Sequence, residues 1–443
     1  MNKEKQKLVP ELRFPEFKND GDWTIEPFNE VYSFKITNSF SRDKLNYENG
    51  TVKNIHYGDI HTKFSTHFDI TKENVPYINP DISIERIDKE NYCEEGDLVI
   101  ADASEDIDDI GKSIEIINLN KEKLLAGLHT FLARPINSKI TISFGGHLFK
   151  SEGIIIQIKK EAQGAKVLGI SKGRLANLDI YYPENEKEQQ KIANCLSSLD
   201  NLITAETEKL DCLKDHKKGL LQQLFPAIGE TKPQFRFSEF ENDEDWEEKC
   251  VNDFFEVGSS KRVLQKDWIK EGVPFYRTRE LVSLSKNEPF GSEIYISEEL
   301  FLELSKKYGI PKAGDFLVSG VGTLGILYQV KENDKFYFKD GNVIWFKLMS
   351  GIVSDYFKHC FHTKFFQKQI FGQSSASTVG TYTISNARKT KFWKPIRKEE
   401  QQKIANCLSS ADDLIEAQKN KIETLYAHKK GLMQQMFPKT TNI

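Results

Sequence analysis

Three stretches of this chain, and its scattered cysteines, carry residue types that could do chemistry, and each lacks a partner at the required spacing. Gly111-Lys112-Ser113 has the ending of a phosphate-binding loop, whose backbone N–H groups and lysine cradle a phosphate. That loop needs glycine five residues earlier, where Asp106 stands. Glu105, Asp106, Asp108 and Asp109 supply carboxylates, but not at the spacing of a calcium loop, so a solvated acidic loop is the expectation. Glu247-Glu248-Lys249 has the Glu-x-Lys ending of many nucleases with no Pro-Asp before it at useful spacing. The six cysteines form no CxxC pair, and two of them, Cys195 and Cys407, lie where a small buried apolar residue is expected. Methyltransferase Asn-Pro-Pro-Tyr or Asp-Pro-Pro-Tyr, His-Glu-x-x-His and dinucleotide motifs are missing. The expectation is a chain with no catalytic residues, no metal site and no cofactor of its own.

What the chain does carry is a repeat. Glu188-Gln189-Gln190-Lys191-Ile192-Ala193-Asn194-Cys195-Leu196-Ser197-Ser198 returns letter for letter at Glu400–Ser410, and His216-Lys217-Lys218-Gly219-Leu220-Leu221-Gln222-Gln223-Leu224-Phe225-Pro226 returns at His428–Pro438 with two Leu→Met changes, both 212 residues on. A second motif opens each half: Pro10-Glu11-Leu12-Arg13-Phe14 to Trp23 matches Pro233-Gln234-Phe235-Arg236-Phe237 to Trp246, at a shift of 223. Between motif and repeat lie 159 residues (24–182) and 148 residues (247–394) that share little sequence. Constant parts suit one kind of partner twice, and divergent parts suit two different ones.

Ile192, Leu196, Leu199, Ile203, Glu206, Leu210, Leu213, Lys217, Leu220 and Leu224 step alternately by four and three, a heptad seam. Ile404, Leu408, Ala411, Ile415, Gln418, Ile422, Leu425, Lys429, Leu432 and Met436 repeat it with polar breaks at the same places. Each helix is expected to begin after Pro183 or Pro395 and to end before Pro226 or Pro438. About 39 residues span roughly 58 Å at 1.5 Å per residue. Gly219 and Gly431 interrupt the helices at about 1 kcal/mol each, which close helix approach or a bend would justify. The two helices are expected to pair antiparallel, with Gln189, Gln190, Lys191, His216, Lys217 and Lys218 and their counterparts Gln401, Gln402, Lys403, His428, Lys429 and Lys430 offering two equivalent surfaces to two copies of one partner. A merely solvated face is the alternative for these charges.

The divergent regions read as mixed α/β. Gly96–Ile100, Gly314–Val318 and Gly153–Ile158 have the β-branched runs of strands, whereas 298–307 and 355–370 read as helices. Gly58-Asp59-Ile60 corresponds loosely to Tyr276–Leu281, and each Gly-Asp strand leads into a polar loop at Asp102-Ala103-Ser104 or Ser319–Thr323. The chain's 443 residues allow two large domains, and 38% hydrophobic content with 30 Phe and 15 Tyr argues against disorder. The net charge of −4 is not that of a typical DNA reader, so local basic patches or a basic partner must compensate. With no leader before Glu11 and no run of about 18 apolar residues, a soluble cytoplasmic protein without membrane association is expected.

The EQQKIA…HKKGLLQQLFP helices, the PxLRFxxF…DW opening motif and the Gly-Asp strand outline resemble the specificity subunit of type I restriction-modification systems, across essentially the entire chain. The resemblance implies an α+β fold: two similar mixed α/β target-recognition domains separated by a pair of long antiparallel coiled-coil helices, with an internal pseudo-two-fold repeat. Boundaries follow: a first target-recognition domain at 1–182, a central spacer helix at 183–226, a linker with the second target-recognition domain at 227–394, and a C-terminal spacer helix with tail at 395–443. It further implies double-stranded DNA as ligand, read as a bipartite asymmetric site whose spacer of roughly 6 to 8 bp suits half-sites about one duplex turn apart. Two modification (methyltransferase) subunits and the restriction (translocase and nuclease) subunits are the implied partners, with S-adenosylmethionine, ATP and Mg on those partners. A coiled-coil scaffold binding only protein is the competing reading. Base reading needs side chains that hydrogen-bond base edges, while most basic contacts go to phosphate. Candidates are Arg42, Lys44, His56, Lys63, Ser104, Lys172 and Arg174 in the first domain, and Lys261, Arg262, Arg277, Arg279, Thr323, Arg388 and Lys389 in the second. In the second domain Thr278-Arg279-Glu280 replaces Gly-Asp-Ile, so residue roles do not transfer automatically between domains.

Overall fold

The fold is that of a computed structural model, which describes residues 8–164, 166–286, 288, 294–372 and 380–439. The chain divides into two compact units, residues 1–207 with 421–443 and residues 208–420. In the first unit a five-stranded sheet runs in the order Tyr32–Lys35, Thr130–Pro135, Leu98–Ala101, Ser113–Asn118, His67–Asp69, beside a four-stranded sheet ordered Leu124–Ala126, Lys53–Ile55, Tyr77–Ile78, Leu45–Asn46. The second unit repeats the outline with fewer strands. Its four-stranded sheet is Phe255–Gly258, Val343–Leu348, Phe316–Ser319, Leu327–Gln329, and its three-stranded sheet is Tyr295–Ile296, Val273–Tyr276, Tyr337–Phe338. Among the described residues the second unit has no counterpart of the edge strand His67–Asp69.

The Gly-Asp strands form where expected, at Leu98–Ala101 and Phe316–Ser319, and their eight residues are all buried. Gly96 and Gly314 turn into them with φ of +94° and +90°, a conformation that a Cβ disfavours. The aspartates are structural anchors. Asp97 takes a bidentate pair of bonds from Arg134, at 2.9 and 2.8 Å, and Asp315 accepts from Trp345 Nε1 and the Leu348 N–H at 2.9 and 2.8 Å.

Two local expectations need correction. Residues 153–158 are not a strand but part of the helix Glu152–Glu161, which buries Gly153, Ile154, Gln157 and Ile158 on one face; a period of about 3.6 wins over β-branched propensity once that face has a core to meet. The single helix expected over 355–370 is two, Ser354–Phe361 and Lys364–Gly372. Thr363 stands at the break and its Oγ1 accepts from the Phe366 N–H at 3.3 Å.

Two 39-residue helices, Glu186–Leu224 and Lys398–Met436, complete the chain, each starting in one unit and ending in the other. A two-stranded ribbon leads into each: Thr24–Pro27 with Asp179–Tyr182, and Glu247–Cys250 with Lys391–Lys394. Within each unit the two helix segments run antiparallel. Asp200 meets Lys429 and Glu206 meets Lys421 in the first, and Lys217 meets Asp412 in the second. Three of the four polar breaks in the seam, Glu206, Lys217 and Lys429, are therefore filled by ion pairs between helices, and the fourth, Gln418, is buried. Gly219 and Gly431 have nothing within 4 Å of a would-be Cβ, so close approach within this chain does not explain them. Cys195 and Cys407 are half-buried at the edges of the two main cores, and the fully buried cysteines are Cys93 and Cys360.

Candidate nucleic-acid interface and helix anchors

The opening motif and the start of each long helix are two halves of one device. Arg13 Nε and Nη2 donate to the two oxygens of Glu188, both at 2.7 Å, and Trp23 Nε1 reaches the same carboxylate at 3.4 Å. In the second unit Arg236 grips Glu400 at 2.8 and 2.8 Å, with Trp246 Nε1 at 3.2 Å. Both carboxylates are buried. The same tryptophans pack edge-on against the phenylalanine that ends the other helix, Trp23 on Phe437 and Trp246 on Phe225, both with centroids 5.9 Å apart. Gln189 and Gln401, expected on the partner-facing surface, are interior instead. Gln189 accepts from the Thr141 N–H and donates to Lys139 and Pro183 carbonyls, while Gln401 accepts from the Val353 N–H and donates to the Pro395 carbonyl. An amide that closes three backbone groups is retained by burial. Lys217 and Lys429 are committed to the seam.

The remaining helix candidates face outward. Gln190, Lys191, His216 and Lys218 are exposed, as are Gln402, His428 and Lys430, with Lys403 half-exposed. Gln190 and Gln402 each donate to the asparagine one turn on, Asn194 and Asn406, at 2.9 Å. Lys191 pairs with Glu16 and Lys403 with Glu239. Leu202 and Leu414, 212 residues apart, are 43% and 58% exposed. One surface is thus written twice, down to an apolar residue left in water.

In the first unit the structure brings Arg42, His56 and Lys63 together around Asp59. The strand Lys53–Ile55 runs into the short helix Tyr57–Thr62, whose third residue is this buried aspartate. Arg42 donates to Asp59 at 2.7 and 3.1 Å, and Lys63 Nζ lies 2.9 Å away. Burial raises the Asp59 pKa, but the bonds from Arg42 and Lys63 outweigh it and hold the carboxyl below its ordinary range. His56 accepts from the Gly58 N–H at 3.2 Å as the helix cap, and burial with the nearby Arg42 charge keeps it below its usual pKa. Ser104 is buried and accepts from the Asp106 N–H. Lys44 is exposed beside Asp43. Lys172 lies over the Phe34 ring and Arg174 pairs with Glu161, on a helix joined to the Ser104 loop through Leu168–Gly169.

The corresponding place in the second unit holds Arg277, Arg279 and Thr323. Strand Val273–Tyr276 runs into the helix Thr278–Ser285, whose third residue, Glu280, is buried and held by Arg277 at 2.5 and 3.1 Å. The exchange of Gly-Asp-Ile for Thr-Arg-Glu therefore conserves geometry: a buried acid on the first helical turn, gripped by an arginine. An open groove of about 540 Å³ brings Arg279 beside Val321, Gly322, Thr323 and Asn342. Lys261 and Arg262 stand exposed on the loop after Gly258, Lys261 over Tyr308. Arg388 donates to the Val257 carbonyl and Lys389 is exposed at the end of Ile384–Lys389.

Sequence reading missed Tyr57, Asp102 and His129. His129 Nδ1 lies 3.1 Å from Asp102, its ring meets Tyr57 at 5.3 Å, and its backbone takes a positive φ of +55°. Nothing local marks it except a polar residue between two strands, and a strained exposed histidine is a reasonable functional marker only once seen. In the acidic loop Asp109 pairs with Lys112 at 3.3 Å and Asp108 with Lys159.

These features define a chain with two similar mixed α/β domains on a duplicated helical frame, and comparison with known proteins places it. A family model described as the type I restriction modification DNA specificity domain matches residues 22–215 and 243–426. The chain belongs to the family of type I restriction-modification specificity subunits and carries two such domains. Among relatives, the putative type I restriction enzyme MjaX specificity subunit of Methanocaldococcus jannaschii is 28% identical over 433 residues, covering 93% of this chain and 92% of its own. The MjaVIII specificity subunit of the same organism is 26% identical, covering 62% and 65%. The type I restriction-modification S subunit from M. genitalium has a similar fold, with TM-score 0.58 at 15% identity over 98% and 100% of the two chains. Among the described residues no helix is long and apolar enough to cross a membrane.

Proposed function

We propose that the two divergent domains read two different half-sites of one asymmetric bipartite DNA sequence, and that the repeated helix surface docks two methyltransferase subunits, directing adenine methylation and, where restriction subunits join, ATP-dependent cleavage in the cytoplasm. The chain itself contributes recognition and no catalysis. The observation that carries this reading is the contrast between faces: Gln190 and Lys191 recur as Gln402 and Lys403 with the same local bonds, and the exposed Leu202 recurs as Leu414, while the loops around Asp59 and Glu280 keep a buried acid gripped by arginine and differ in sequence around it. Equal surfaces fit equal partners, and unequal loops fit unequal words of DNA. S-adenosylmethionine, ATP and Mg belong to the partners in this scheme. Mapping modified adenines in DNA from a host carrying this chain and its methyltransferase gives both half-sites and the spacer at once. A gel shift of the assembled complex at stated salt supplies the binding side, because phosphate contacts make affinity salt-dependent. Loss of all sequence preference in both would favour the protein-only scaffold.

A further inference from the structure

In the first unit, His67 on the edge strand His67–Asp69, His147 on the short helix Phe144–Phe149 and Asp200 on the long helix bring ligand atoms within 4.8 Å of one another. The hydrogen bonds around the two imidazoles leave one nitrogen of each available as a ligand. His67 Nε2 lies 2.8 Å from the Ser143 carbonyl, and donating there leaves the Nδ1 lone pair free. His147 Nε2 is 3.1 Å from Ser197 Oγ, and its Nδ1 has no hydrogen-bond partner although the residue is only 1% exposed. A buried imidazole nitrogen with nothing to bond is costly to leave unmatched. The two ring centroids lie 4.3 Å apart with the planes at 59°, and an oxygen of the buried Glu115 lies 3.8 Å from His67 Nε2. A ring N–H donated to a backbone carbonyl is an arrangement that fixes the tautomer of a metal-binding histidine. Ser143, whose carbonyl takes the His67 bond, holds a positive φ of +74°.

We infer that His67, His147 and Asp200 form a binding site for one divalent transition-metal ion, zinc or cobalt in class, tying the edge strand and the short helix of the first unit to its long helix. Two neutral imidazoles and one carboxylate with a fourth position left to solvent is a donor set such ions take. Lys429 already pairs with Asp200 Oδ1, so the metal competes with an ammonium for this carboxylate and uses its second oxygen or displaces the lysine. The second unit supplies an internal control. His359, Ser409, Asp412 and Lys217 repeat His147, Ser197, Asp200 and Lys429, with His359 Nε2 3.1 Å from Ser409 Oγ and Nδ1 4.0 Å from Asp412. The strand that carries His67 has no counterpart there among the described residues, and although His362 stands near Asp412, the ligand atoms of this second cluster do not converge as those of the first do.

The test uses the full chain, stripped with chelator and dialysed, in equilibrium dialysis against Zn²⁺ and in titration with Co²⁺ followed by its visible absorption. One ion per chain is expected. Asp200→Asn and His67→Gln should each weaken binding by at least about tenfold, on the order of the loss that follows disturbance of a metal-binding set, while Asp412→Asn should leave it unchanged. Circular dichroism and Tm without metal verify that the variants fold. No stoichiometric uptake, uptake indifferent to both first-unit variants, or equal loss in Asp412→Asn would each overturn the site. None of these readouts uses DNA, so the metal site and the DNA-reading assignment fail separately.

Discussion

The arginine–glutamate anchors are where single residues matter most. Arg13 and Glu188 are both buried, as are Glu400 and the side chain of Arg236, so removing one partner leaves a charge with no compensation. Arg13→Ala is expected to cost about 3 to 5 kcal/mol, the loss seen when a buried pair is broken from one side, whereas the paired change Arg13→Met with Glu188→Gln should recover most of it. Denaturant unfolding of the three proteins decides this, and equal stability of all three would remove the anchor role. A pH effect follows from the depressed pKa of Asp59. The folded carboxyl holds its proton less tightly than the unfolded one, so its stabilising contribution is present above the ordinary carboxylate pKa and is lost as pH falls through the lower folded value. Asp59→Asn should therefore lower Tm at neutral pH and converge with the parent in acid.

At the scale of elements, the long helices carry two separable tests. Gly219 and Gly431 have open space beside them, and Gly→Ala at both should stabilise the isolated chain by about 1 kcal/mol per site. If the methyltransferase backbone approaches there, the same change should weaken assembly, a split visible by comparing Tm with complex yield on a sizing column. Stabilisation with unchanged assembly would place the docking surface elsewhere on the helices. Seven residues added at one seam position of each helix preserve the heptad register and lengthen each by about 10 Å. If the paired helices set the distance between the two half-sites, the spacer in the modified-adenine map should then grow; an unaltered spacer would contradict that role.

For the whole molecule, acid lability has an identifiable source in the second unit. His359 is buried against Ser409 and faces Asp412, Lys217, Lys358 and His362; burial first, then the Lys217 charge, lowers its pKa from 6.5 to about 3. Below pH 6.5 the unfolded chain takes a proton the folded chain refuses, so stability declines as pH falls from there toward the folded value. His359→Gln should flatten the slope of Tm between pH 7 and pH 5 in the intact chain. A slope identical to the parent's would assign the acid sensitivity to other groups. Exchange of residues 24–182 for those of a relative should change one half-site of the modified-adenine map and leave the other, since each unit has its own cores.

The repeats were legible without coordinates because a heptad seam, bounding prolines and identical blocks are local patterns: both helices begin and end within a few residues of Pro183, Pro226, Pro395 and Pro438. The Gly-Asp strands were legible for the same reason. What the letters could not give was pairing at a distance. Glu188 and Gln189 look like a solvated helix start until Arg13, 175 positions away, and the Thr141 backbone close over them. The strand at 153–158 became a helix because a core, not propensity, chose its period. His67, His147 and Asp200 lie far apart in the chain, and no spacing rule unites them. The sequence by itself determined that one frame is used twice around two unlike domains, because periodicity and identity are properties of neighbours along the chain. Only the tertiary structure decided which charges are buried, which face is free and which histidines meet, because burial and convergence depend on contacts between residues that the chain keeps far apart.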